Sequence, residues 1–286
     1  MSWFILLLLG AIWGASYMFI KIGGAEIPPF TFVEIRTLVA AITLFLVLQL
    51  RGEKFPRTRR EWIPLMILGI FNGVIPYTLI TWGETHISSG LASILGAATP
   101  LFTIILAHYG THDERFTVTK LLGITIGFIG VVVLFIPELR NGVQIEFWGQ
   151  VACVVAAASY ALATLVARKY AGGISHVAAP MGQLMTTAVI MLPLSLVFDN
   201  PLALRPSLPA AGSLLILSLL GTAFAYILYY WLIEHTGATR TALVTYLIPI
   251  TGVMWGVLLL REPMEWEAIL GLVLIIGGVV LVNRRG

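Results

Sequence analysis

Apolar residues in this chain run in long blocks rather than alternating with polar ones. Ten blocks of roughly 20 residues can be cut from it, centred near residues 12, 40, 73, 98, 127, 158, 187, 222, 250 and 274. A hydrocarbon core about 30 Å thick is crossed by about 20 residues of helix. Helix is the form expected, because lipid offers no partner to an unpaired backbone N–H or C=O. The connecting segments do not exceed about a dozen residues, which leaves no room for a soluble domain. The pattern therefore predicts an all-α polytopic membrane protein of ten transmembrane helices.

A second pattern lies over the first. Leu65–Pro100 returns as Leu214–Pro249 at an offset of 149, with eight of 36 positions identical. The pairs in register include Tyr77 with Tyr226, Trp82 with Trp231, His86 with His235 and Pro100 with Pro249. Glu114 meets Glu262 at an offset of 148, and Ala15-Ser16-Tyr17 returns as Ala158-Ser159-Tyr160 at 143. A repeat of this length sets the architecture. Residues 1–140 and 141–286 read as two five-helix units. An odd number of crossings turns the second unit over relative to the first, so inverted-topology repeats are expected.

Composition agrees with burial in lipid. Hydrophobic residues make up 58% and charged residues 11%, against about 25% charged in an ordinary soluble domain. The one cysteine, Cys153, excludes an intrachain disulfide and a cysteine metal cluster. A net charge of +3, scattered along the chain, gives no basic face for nucleic acid. The start, Met1-Ser2-Trp3, has no basic n-region, so the first block is read as a retained helix and not a signal peptide. With a cytoplasmic N-terminus the inner loops carry 12 of the 17 Lys and Arg residues, five of them in Arg51–Glu61. Both termini are therefore expected inside.

The polar residues inside the blocks are the candidate chemistry. Trp13 and Tyr17 are aromatic near mid-depth, away from the interfacial belts. Glu34 and Arg36 fall near the outer end of the second helix, where Arg36 can snorkel. Asn72, Gly73, Pro76 and Tyr77 cluster in the third helix, and proline there removes a backbone bond and invites a kink. Bends are expected at Gly73, Pro76, Pro100 and Pro249. Ser88-Ser89-Gly90 opens a fourth helix of small residues that runs through Ser93 to Thr99-Pro100. His108 and His112, followed by Asp113 and Glu114, have the spacing of metal ligands, but Gly110 interrupts them and a solvated turn is the expected state. Gly10-xxx-Gly14, and the glycines of the fifth and tenth helices, read as close packing or dimer-facing surfaces.

Trp13-Gly14-Ala15-Ser16, the Ser88–Pro100 segment, Leu247-Ile248-Pro249 and Leu259-Leu260-Arg261-Glu262-Pro263 resemble the EamA-type branch of the drug/metabolite transporter superfamily. The resemblance covers essentially the whole chain. It implies ten helices in two inverted repeats and export of amino acids, related metabolites or cationic drugs across the bacterial inner membrane. Within that branch the chain is most similar to the aromatic amino acid exporters. Smaller four-helix relatives couple to protons through a central glutamate in their first helix. Here that position reads Ile12-Trp13-Gly14, so the role does not carry over.

The blocks place every charge near a helix end, with no central carboxylate for proton coupling, and gradient-driven export follows. Efflux of drugs or cationic compounds by proton antiport is the alternative. Serines without a histidine neighbour argue against a membrane enzyme, and isolated polar spots argue against a channel. No cofactor or metal is expected. The expected partners are a small-molecule substrate and the lipid bilayer, with the chain as monomer or homodimer. The substrate is expected near the bilayer midplane, where the repeats meet. The candidate lining is Trp13, Tyr17, Asn72, Tyr77, Ser93, Thr99, Ser159, Tyr160, Tyr226 and Tyr246.

Overall fold

The structure, a computed structural model, describes residues 1–110, 116–170 and 175–283. His112, Asp113 and Glu114 of the proposed turn, and Arg115, Arg284 and Arg285 of the charge bias, lie outside them. Each apolar block becomes a helix. Eight are long and apolar enough to cross a membrane: α1 Ser2–Gly24, α2 Pro29–Leu50, α3 Arg59–Glu84, α4 Ser89–Tyr109, α6 Ile145–Lys169, α7 Ala178–Asp199, α8 Leu208–Thr236 and α10 Trp266–Asn283. Two are shorter, α5 Val118–Leu134 and α9 Val244–Leu260, and a further turn, Ile136–Asn141, extends α5. The protein is all-α and polytopic.

Local chemistry sets the ends. Pro29 takes the first turn of α2, where its missing N–H is not needed. Thr58 and Glu61 form a reciprocal capping box on α3. Ser88 and Ser207 cap α4 and α8. Long-range packing is glycine-led, as lipid-embedded helices require. A Cβ at Gly14 of α1 would lie 2.0 Å from Thr251 Oγ1 of α9, so only glycine fits that crossing. A Cβ at Gly123 or Gly130 of α5 would lie 2.7 Å or 2.9 Å from the carbonyl of Gly278 or Gly271 of α10. The expected packing glycines therefore join helices within the chain.

The strongest helix pairings survive exchange of α1–α5 for α6–α10. The pairs α2–α7, α4–α9 and α5–α10 map onto themselves, α1–α9 maps onto α4–α6, and α1–α8 onto α3–α6. The exchange is incomplete. Helix α1 also packs on α3 and α4, whereas α6 makes no comparable contact with α8 or α9.

The expected bends are met in part. Ile70–Val74 of α3 is π-helical, ending just before Pro76, and Leu217–Phe224 of α8 is π-helical at the equivalent place. Helix α4 breaks at Ala97-Ala98, before Pro100. Helix α9, in contrast, runs unbroken through Pro249. Pro249 stands a turn and a half inside α9, and the residues before it form i→i−3 bonds, Thr245 to Ala242 and Tyr246 to Leu243.

Candidate functional site

Proline at 76 shapes the middle of α3. In the π-helical segment Ile75 N–H reaches back five residues to the Ile70 carbonyl. The next such donor would be Pro76, which has no N–H. The Phe71 carbonyl is satisfied instead by the Ser159 hydroxyl of α6, which donates to it at 2.7 Å. A functional-looking serine thus completes a helix, and its role is to hold α6 against α3.

The widened turn presents Asn72 to the interior. Its amide nitrogen donates to the Tyr226 hydroxyl of α8 at 3.0 Å and to Gln183 Oε1 of α7 at 3.3 Å. Gln183 Nε2 donates to the same hydroxyl at 2.7 Å. Tyr77, one turn on, meets Tyr160 of α6 edge-on at 6.5 Å. The Arg36 guanidinium lies 4.0 Å over the Tyr77 ring, and its Nε donates to Thr222 Oγ1 at 3.0 Å. Thr222 belongs to the π-helical segment of α8, where its own hydroxyl donates to the Leu217 carbonyl five residues back. Both π segments therefore hand a polar group to one cluster.

Arg36 is 6% exposed and points inward, so the snorkelling expectation is corrected. Helix α2 begins at Pro29, which puts Arg36 two turns inside it. From there the side chain reaches a hydroxyl and a ring more readily than the interface. Arg36 is thus a charge away from a helix end, whereas Glu84 ends α3. Glu34 and Glu84 are buried as well.

Beyond the cluster runs an aromatic wall. Trp13 of α1 packs on Tyr229 at 5.3 Å, Tyr229 on Tyr230 at 5.6 Å, and Tyr230 faces Tyr226 at 6.5 Å and His176 at 5.4 Å. Tyr17 sits on the opposite flank with its hydroxyl against Gly96, at the break in α4. A Cβ there would come within 2.6 Å of it.

Of the ten expected lining residues, Asn72, Tyr77, Tyr160 and Tyr226 lie in this cluster, with Trp13 and Tyr17 on the aromatic groups beside it. Ser159 is a helix tie. Three others are corrected. Ser93 is fully buried, bonds the Gly90 carbonyl and packs against Gly252, so it seats α4 on α9. The Thr99 hydroxyl closes on the Gly96 carbonyl at the α4 break. Tyr246 lies in the first turn of α9, because that helix starts at Val244, and its hydroxyl accepts from Asn283 at the end of α10. Arg36, expected at the outer end of α2, and Gln183, not among the expected lining residues, join this cluster. Gln183 was findable as an amide inside an apolar block. A cleft of about 240 Å³ between α2 and α8, lined by Ile35, Val39 and Leu214, is almost wholly apolar and lies apart from this chemistry.

Two inward-aimed π segments, an interior polar cluster and exchange-related helix pairs are features of a solute carrier. The EamA-like transporter family model matches residues 1–136 and again 147–284, and the chain belongs to that family. The uncharacterized transporter YoaV of Bacillus subtilis (strain 168) is 27% identical over 94% of this chain and 92% of its own length. The uncharacterized inner membrane transporter YedA of Escherichia coli (strain K12) is 27% identical over 95% and 87%. A probable terminal-alkyne amino-acid exporter of Streptantibioticus cattleyicolor is 28% identical over 87% and 82%. A solved crystal structure aligns with a TM-score of 0.70 over 99% of this chain and 96% of its own, at 16% identity, and shares the fold.

Proposed function

We propose that the chain exports a small carboxylate-bearing metabolite, an amino acid in the first place, by alternating access. The observation that carries this reading is Arg36. A guanidinium has five N–H donors in a planar fork, and only Nε is engaged among the described residues. No carboxylate of the described residues lies within 4.0 Å of it. A buried cation without an anion is costly, and the free fork matches a carboxylate in two parallel bonds. The Asn72 Oδ1 and the Tyr77 hydroxyl are the acceptors offered to an amino group, since the Tyr226 oxygen already accepts from Asn72 and Gln183. Tyr160 and Tyr230 offer ring faces to a side chain. A cationic drug would meet the charge of Arg36 at the same place, which disfavours drug antiport. The relative named as an amino-acid exporter agrees with the substrate class. The two halves are read as inverted repeats, with residues 1–140 and 141–286 as the units. The Lys and Arg bias puts the Arg51 end of the bundle in the cytoplasm, and the space between α6 and α8–α9 loads from that end.

Counterflow of labelled amino acids and organic acids into proteoliposomes tests this. Arg36→Gln should raise the KM for carboxylate substrates at least about tenfold, the equivalent of about 1.4 kcal/mol. Arg36→Lys should recover only part, because an ammonium cannot form the two-pronged contact. Wild-type KM in both variants for every substrate tried would place the carboxylate site elsewhere.

A further inference from the structure

At the end of the bundle opposite Arg51, a second group of charges makes no hydrogen bond or ion pair with this site among the described residues. Lys21, in the last turn of α1, donates to two backbone carbonyls at the α3–α4 turn, Glu84 at 2.6 Å and Ile87 at 2.8 Å. Glu262, in the turn between α9 and α10, caps α4. Its carboxylate accepts from Ser89 N at 2.8 Å, Ser89 Oγ at 2.9 Å and Gly90 N at 3.1 Å. Between these ties sits the Glu84 side chain, 1% exposed, with neither oxygen hydrogen-bonded. Lys21 is adjacent, yet its ammonium takes the carbonyls and stays beyond 4.0 Å from the carboxyl oxygens. An ionised carboxylate beside a free ammonium would form an ion pair. One left unpaired in a dry site costs several kcal/mol. The arrangement fits a neutral carboxylic acid.

We propose that Glu84 is a proton-binding site that governs the Lys21 end of the transporter, holding a proton while this end is closed and releasing it as the end opens. On release the O–H bond breaks heterolytically. The electron pair stays on the carboxylate, and the proton passes to water entering from the Lys21 side. The new carboxylate requires hydration, which favours the open end, and the Lys21 ammonium exchanges its two buried carbonyl bonds to Glu84 and Ile87 for a solvated ion pair. The groups that share the field of Glu84 are Lys21 and Tyr17 from α1, Arg36 from α2, Cys153 from α6 and Glu262 from the α9–α10 turn. Two further buried groups near this end are also unpartnered, Thr81 one turn before Glu84 and Gln150 on α6 beside the Gly83–Gly149 contact. They give water and protons polar stations on the way in. The proton is taken up with closure, so a lower pH on the Lys21 side favours the closed state.

The single cysteine supplies the test. Cys153 is 1% exposed and lies 2.9 Å from where a Cβ on Gly83 would be, so labelling it requires this end to open. Purified protein is reacted with a polar maleimide from about pH 5 to about pH 8, a range wide enough to titrate a buried carboxyl. The wild-type rate is divided by the Glu84→Gln rate at each pH, which removes the pH dependence the two proteins share; a charge on Glu84 disfavours the thiolate, so it cannot by itself raise the ratio. The ratio should rise at least about tenfold across the range, one logarithmic unit for each pH unit while the group titrates. The wild type should also show a protonated-carboxyl stretching band in infrared spectra that fades in step with labelling and is missing from Glu84→Gln. A flat ratio overturns the proposal. So does a wild-type spectrum with no such band near neutral pH, even if the variant fails to fold. The inference rests on the alternating-access reading above. Neither readout uses a substrate, so its failure and the failure of the carboxylate assignment are distinguishable.

Discussion

Helices α1 and α6 occupy equivalent places in the two repeats, and Ser16-Tyr17 of one aligns with Ser159-Tyr160 of the other. They do not pack alike. Helix α1 contacts α8 and α9 in the opposite repeat and also α3 and α4 in its own. Helix α6 contacts α3 and α4 but is not drawn against α8 and α9. The difference follows one residue. Lys21 reaches the carbonyls of Glu84 and Ile87 and seals α1 to the α3–α4 turn. At the offset of 143 its counterpart is Thr164, whose hydroxyl turns back to the Tyr160 carbonyl of its own helix. A duplicated frame has thus been given a strong tie at one end and a local bond at the other. Two states of a transporter need to differ by a few kcal/mol in what each end holds, and this asymmetry supplies a difference of that size.

Removing the tie should have the largest effect on the comparison. Hydrogen bonds from a charged donor contribute about 1.5–3 kcal/mol each, and Lys21 makes two. Lys21→Ala should therefore raise Cys153 labelling at least about tenfold at neutral pH, since 1.4 kcal/mol is a factor of about ten. It should also slow net export, because α1 then resembles α6 and the closed state loses its preference. Labelling at the wild-type rate would mean that Glu262 and the helix packing close this end without Lys21.

Much of this frame was legible in the block pattern, and the reasons differ by residue. Ten helices and the offset of 149 follow from length and period alone, and register makes Tyr77 and Tyr226 equivalent without saying what either touches. The Arg36 contact follows from none of these. Its partner Thr222 is 186 positions away, and nothing local says whether a side chain in the first turns of α2 faces the interface or the interior. Tyr246 and Ser93 were misplaced for a related reason. A block of apolar residues fixes the middle of a span to within a turn, and one turn separates a cavity wall from a helix contact. Glu84 looks like an ordinary helix-end charge in sequence, because nothing local reveals that α1, α4 and α6 close over it.

A middle-sized effect sharpens the comparison at α6 itself. Ser159→Ala leaves the Phe71 carbonyl of the π-helical turn without a donor, which should cost about 1–3 kcal/mol. The expected outcome is a lower unfolding temperature in detergent with the substrate KM unchanged. Ser16 of α1 donates to the Ile12 carbonyl within its own helix, so Ser16→Ala should be nearly neutral. Equal losses in the two variants would show that the π segment of α3 does not depend on α6. A change in KM with Ser159→Ala would return this serine to the binding site.

The smallest effect concerns a tie that joins the repeats outside the membrane-spanning segments. Glu26, in the turn between α1 and α2, accepts from the Ser207 hydroxyl at 2.6 Å and from Ser207 N at 2.7 Å. Ser207 is also the N-cap of α8, so the α1–α2 turn is fastened to the start of α8. The Ser207 hydroxyl first, and its backbone N–H second, hold the Glu26 carboxyl below the usual carboxylate range. A carboxyl depressed in the folded state stabilises above its unfolded pKa, and that contribution is lost as the pH falls through the folded value. Its loss therefore belongs below about pH 4, where glutamate ordinarily titrates. Because the pair is exposed to water the effect should be small. Thermal unfolding of wild type and Glu26→Gln should differ slightly at neutral pH and converge below about pH 4. The Cys153 ratio that reports Glu84 should be the same in both backgrounds. If Glu26→Gln flattened that ratio, the pH response of the Lys21 end would belong to the exposed turn, and the buried carboxyl would be a bystander.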